Sequence, residues 1–186
     1  MIWLVLGVAL WWGAHFFKRV APGPRARLGD PGKGLVAVLL FASVALMWWG
    51  YRPADGPIWW GRSVALTGIN NLLMLLAFYV YASGASPPGR PRNKIGTSLR
   101  HPQLIGFSIF AVAHLLVNGD LASFILFGGL LAWALAEIVV INRAGPEWTP
   151  PEWGGMKTEI RIGVIALVVF TVVALVHGWL GPWPFG

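Results

Sequence analysis

Apolar residues fall along this chain in long runs, separated by short stretches where proline, glycine and charge collect. The runs cover 1–17, 35–49, 63–82, 101–117, 121–141 and 162–180. From His101 to Gly119 no residue carries a fixed charge, and about 18 such residues are enough to cross the roughly 30 Å hydrocarbon core of a bilayer. A helix is the expected form, because backbone groups in hydrocarbon must find their partners within their own segment. Pro102 suits the first turn of that helix, where a missing N–H costs nothing. Asn118-Gly119-Asp120 predicts a tight polar turn, with Asp120 capping the helix that starts at Leu121. Residues 100–123 therefore read as a helical hairpin, and the remaining runs as membrane helices around it.

The other connections have plain turn and loop chemistry. Residues 20–34 are rich in Pro, Gly and Arg, 51–61 form a short turn, 83–99 carry Pro87, Pro88 and Pro91, and 142–161 are polar. The predicted fold is all-α: a polytopic transmembrane helical bundle of about six spans in a single domain, 1–186. The first run carries its charge after the apolar residues, at Lys18 and Arg19, the reverse of a secretory signal. It is expected to remain as a span.

Composition agrees with this pattern. The chain is 56% hydrophobic and only 11% charged, against roughly 25% charged residues in soluble domains. A net charge of +7 could suggest nucleic acid in a soluble protein, but membrane topology explains it better and no nucleic-acid partner is expected. Lys18, Arg19, Arg25, Arg27 and Lys33 lie in the first connection. The third holds Arg90, Arg92, Lys94 and Arg100, and the fifth Arg143, Lys157 and Arg161. Only Arg52 and Arg62 remain for the opposite side. The positive-inside rule puts the odd connections in the cytoplasm and both termini in the periplasm. The pairs Trp48-Trp49 and Trp59-Trp60 suit the headgroup boundary, where an indole satisfies both ring and N–H.

The absence of cysteine excludes disulfides, thiolate nucleophiles, iron–sulfur clusters and thioether-linked haem. Histidine is left as the strong nitrogen ligand. By depth, His15, His101 and Glu137 share the cytoplasmic layer, while His114 and His177 lie toward the outside. Ionisable groups inside a span are costly and mark function by default. Glu137 can instead snorkel, or pair with Arg143 or a loop arginine, and the histidines can be hydrogen-bonded between helices. Asn70 and Asn71 are expected to bind helices together, and Gln103 and Asn118 complete the intramembrane polar set. Two imidazoles from different helices could hold haem b in an apolar slot lined by Trp and Phe. No Walker, GxGxxG, HExxH or GxSxG motif is present.

HPQL at 101–104, AHLL-NGDLAS across 113–123 and the small-residue helix that follows resemble the signature of the NnrU family. The early histidine and basic proline-rich loop extend the resemblance over most of the chain. It implies a multi-span bacterial inner-membrane protein linked to nitrite and nitric oxide reduction in denitrification, with respiratory reductase components as possible partners. The family is similar to plant zeta-carotene isomerase, a haem b membrane enzyme. By that similarity His15 and His114 are the expected axial ligands to haem iron, with His101 in support; depth alone groups His15 with His101 instead. Arg100-His101-Pro102 followed by Gly106 also resembles the S-adenosylmethionine-binding corner of membrane methyltransferases, without that family's glutamate-rich, paired-tyrosine segment. A haem-dependent polyene isomerase, a methyltransferase-like enzyme and a purely structural reductase partner are thus the alternatives.

Overall fold

A computed structural model describes every residue except Pro88 and Pro146. Pro88 belongs to the predicted proline-rich loop and Pro146 to the predicted polar connection, so both lie outside the described residues.

The chain is built from helices. In order they are α1 (Ile2–Val20), α2 (Pro22–Arg27), α3 (Pro31–Tyr51), α4 (Val64–Ser83), α5 (Lys94–Ser98), α6 (Pro102–Val117), α7 (Leu121–Ser123), α8 (Gly129–Ala144) and α9 (Gly155–Leu180). A π-helical turn, Phe124–Gly128, joins α7 to α8, making one continuous apolar rod from Leu121 to Ala144. Among the described residues four helices are long and apolar enough to cross a membrane: α3, α4, that rod and α9. The 16-residue α6 is about 24 Å long at 1.5 Å per residue, somewhat short of a full crossing. Large apolar side chains face outward along these helices, among them Phe41, Val64, Leu72 and Val172. A soluble protein would not expose so much apolar surface, whereas lipid accepts it.

The predicted starts and caps are largely present. Pro102 occupies the first turn of α6, and the Asp120 carboxylate accepts the Ser123 backbone N–H at 2.8 Å. Several predicted bounds need correction. Helix α3 begins at Pro31 and α9 at Gly155, each ahead of its apolar run, because the first turns are polar and project from the apolar layer. The loop at 20–34 contains α2, which starts on Pro22. The loop at 83–99 contains α5, capped by Asn93, whose side-chain oxygen accepts the Gly96 N–H. The turn at 51–61 holds a short strand, β1 (Ile58–Trp60), antiparallel to β2 (Gly119–Asp120). The Trp60 ring lies over Gly119 where a side chain would stand.

Helix α1 packs mainly on α3, while α4 packs on α6 and α9, and α6 on α8. Small residues make the close approaches. A Cβ on Gly106 of α6 would fall 2.7 Å from both the Ala77 carbonyl and the Tyr81 nitrogen of α4. Helix contacts in a bilayer depend on such close van der Waals packing. A compact core of Leu4, Met47, Ala122 and Leu130 joins α1, α3 and the rod.

The connections are tied in two groups. Arg92 N–H donates to the Glu152 carbonyl and Gly154 N–H to the Arg92 carbonyl, both at 2.8 Å, joining the third and fifth connections. At the other end β1 pairs with β2, Arg62 donates to the Trp183 carbonyl, and Asn71 donates to the Pro184 carbonyl.

Candidate functional site

The polar residues within the helices collect in two places separated by aromatic rings. His15 on α1 sits between Trp11 and Trp133, with ring centroids 4.4 Å and 4.3 Å away. Its Nδ1 is 2.9 Å from the Trp11 carbonyl one turn earlier. A carbonyl can only accept, so Nδ1 carries the proton, and in the neutral ring Nε2 keeps its lone pair. Another turn along α1, Arg19 pairs with Glu137 of α8 at 3.2 Å, and Glu137 lies within electrostatic range of His15. Glu137 thus takes a first-connection arginine rather than Arg143.

This inner group is unsatisfied. Trp11 Nε1, Trp133 Nε1 and Glu137 Oε2 are buried and have no hydrogen-bond partner among the described residues; Trp133 itself is 5% exposed. A buried donor or acceptor left without a partner costs about 1–3 kcal/mol, so such a gathering needs an explanation. The spacing Trp11–His15–Arg19 and Trp133–Glu137 is i, i+4, which puts these residues on single helix faces. That spacing was available in the sequence, but the two tryptophans were hidden among many others.

His114 repeats the local geometry of His15 at the other end of the bundle. Its Nδ1 donates to the Phe110 carbonyl at 2.9 Å, and its ring stacks on Phe127 at 4.5 Å and 28°. Phe127 comes from the π turn, a form that concentrates at functional sites. Asn118 donates to the His114 carbonyl and so caps the end of α6. His177 is within electrostatic range of His114 but bonds through Nδ1 to the Pro182 carbonyl of the tail.

His15 and His114 come from different helices, α1 and α6. Trp11, Trp133, Phe107 and Phe110 form an aromatic path between them, with neighbouring centroids 5.2–6.3 Å apart. Phe107 packs at the level of Trp11 and Trp133, and His114 lies seven residues further along α6, about 10 Å along its axis.

The remaining candidates are dispersed. His101 precedes α6 and its Nε2 is 2.8 Å from the Asn142 side-chain oxygen. Arg100 reaches Gly145 beyond α8, and Gln103 is exposed. Gly106 is covered by the α4 backbone. Asn70 donates to Asn71, and Asn71 holds the C-terminal tail rather than another helix. Among the described residues no three His, Asp or Glu side chains gather in a metal-binding group.

One polar cluster was not anticipated. Tyr51 Oη and Ser123 Oγ are 2.8 Å apart, and Ser123 Oγ donates to Asp120 Oδ2 at 2.7 Å, fastening α3 to the start of the rod. Nothing in a local pattern connects residues so far apart in sequence.

These features define a multi-pass helical membrane protein with an aromatic, histidine-bearing interior. Its family follows from comparison with known families: the NnrU protein family matches residues 3–184, nearly the whole chain, and the protein belongs to it. Comparisons with curated proteins and with solved structures found no match.

Proposed function

We propose that this protein is a six-span NnrU-type protein of the bacterial inner membrane that binds haem b through His15 and supports nitrite and nitric oxide reduction. The observation that carries the binding site is the unsatisfied group around His15. An imidazole with Nε2 available, two buried indole N–H donors and a carboxylate oxygen without a partner are groups that a bound polar or metal-carrying molecule would satisfy. The third and fifth connections are tied together at one end, and the odd connections, which carry most of the lysine and arginine, take the cytoplasmic side. Residues 1–186 act as one transmembrane domain, with lipid around it and reductase components as its partners.

Haem suits the donors here. Each imidazole is fixed through Nδ1 in the way that prepares Nε2 to bind iron. His15 is the ligand we put first, because the unsatisfied groups gather around it, and His114, on the other side of the aromatic path, is the second candidate. Trp11 and Trp133 hold the His15 ring, and Arg19 fixes the Glu137 carboxylate beside it. Bound haem would supply a redox-active iron.

Absorption spectra of protein purified from haem-sufficient membranes test the assignment. The expected result is a Soret band with about one haem per chain, lost in His15→Ala and retained in His114→Ala. A colourless wild-type protein refutes haem binding, and a spectrum unchanged by His15→Ala refutes the ligand.

A further inference from the structure

At the end where the third and fifth connections meet, a cavity of about 500 Å³ opens between the end of α4, the proline-rich loop and the first turns of α9. Its lining is mixed: Arg90, Arg161, Ser86 and Thr158 are polar, while Ile162 and Ile165 begin the long apolar face of α9.

We infer that this cavity binds the phosphate group of an anionic phospholipid, with the acyl chains running down α9. Two guanidiniums lining one cavity repel each other, and among the described residues neither forms an ion pair. Glu159, two residues from Arg161, is already engaged. It accepts from the Lys94 backbone N–H at 2.7 Å, the Trp153 indole at 2.9 Å and the Tyr79 hydroxyl at 3.0 Å. Positive charge in the cavity is thus left for an outside anion. Guanidinium matches phosphate oxygens well, and basic pockets between membrane helices on the cytoplasmic side bind lipid headgroups.

The walls are also fixed. The two backbone hydrogen bonds between Arg92, Glu152 and Gly154 lock the loops, and Thr158 donates to the Gly154 carbonyl at 2.9 Å. A free phosphate would meet the arginines but gain nothing from Ile162 and Ile165. This apolar part of the lining favours a lipid as the source. No histidine lines the cavity, and the proposal does not depend on haem binding.

Native mass spectrometry and thermal unfolding of the full chain, with phosphatidylglycerol, phosphatidylcholine or inorganic phosphate added, test it. Phosphatidylglycerol should be retained and stabilising, and the Arg90→Gln/Arg161→Gln double variant should bind it about thirtyfold more weakly. Both arginines are exposed, so that variant should fold. Arg25→Gln/Arg27→Gln, on the same side but outside the cavity, serves as control. An equal loss in this control would mean diffuse surface attraction and would overturn the site. Equal binding of phosphatidylcholine, or equal stabilisation by inorganic phosphate alone, would overturn the lipid assignment.

Discussion

Gly106→Ala is the sharpest test of how α6 is held. Elsewhere in a helix the change from glycine to alanine gains about 0.5–1 kcal/mol, because glycine loses more backbone freedom on folding. Here the new methyl group would stand 2.7 Å from the Ala77 carbonyl oxygen and 2.7 Å from the Tyr81 nitrogen. Both are backbone atoms of α4, so no side chain can rotate aside; the helices must separate by several tenths of an ångström. Overpacking of this kind costs about 1–3 kcal/mol, and α4 with α6 is the most extensive helix pair in the bundle. The packing cost outweighs the backbone gain, for a net loss of about 1–2 kcal/mol, or roughly 3–6 °C in Tm. Gly68→Ala supplies the opposite case, since nothing lies within 4 Å of its new methyl group. It should raise Tm by roughly 2 °C. Thermal unfolding in detergent, followed by the fluorescence of the 12 tryptophans, compares the two. A Gly106→Ala protein as stable as wild type would refute the close approach of α4 and α6.

Asp120→Ala should cost about 2 kcal/mol in the same assay, toward the upper end for a lost N-cap, because the Ser123 amide and hydroxyl it serves are fully buried; Asp120→Asn should recover part of the loss. Arg19→Ala leaves Glu137, whose side chain is only 12% exposed, without its cation. Solvent reaches Arg19, so the expected cost is about 1–2 kcal/mol rather than that of a fully buried pair, and a double-mutant cycle with Glu137→Gln should show coupling. Strict additivity in that cycle would remove the ion pair as a stabilising contact.

Much of the architecture was legible because hydrocarbon imposes strong local rules. Length and apolarity located the long helices, and Pro102 and Asp120 marked helix starts. Boundaries moved where polar first turns extend beyond the apolar layer, as at Pro31 and Gly155. The π turn was not legible, since no local residue pattern marks it; its Phe124 and Phe127 rings meet Trp59 and His114, which lie elsewhere in the chain.

The candidate site divides the same way. The sequence by itself determined which residues carry ligand chemistry: without cysteine, His15 and His114 stand out on apolar helices, and Glu137 is an evident cost inside a span. Only the tertiary structure decided their company. Trp133 reaches His15, Arg19 reaches Glu137, and rings from α1, α6 and α8 separate His15 from His114. Depth along a helix follows from residue count, because the rise per residue is fixed. Which helix lies beside which follows from close packing at Gly106 and its counterparts, and that depends on pairs of surfaces far apart in the chain.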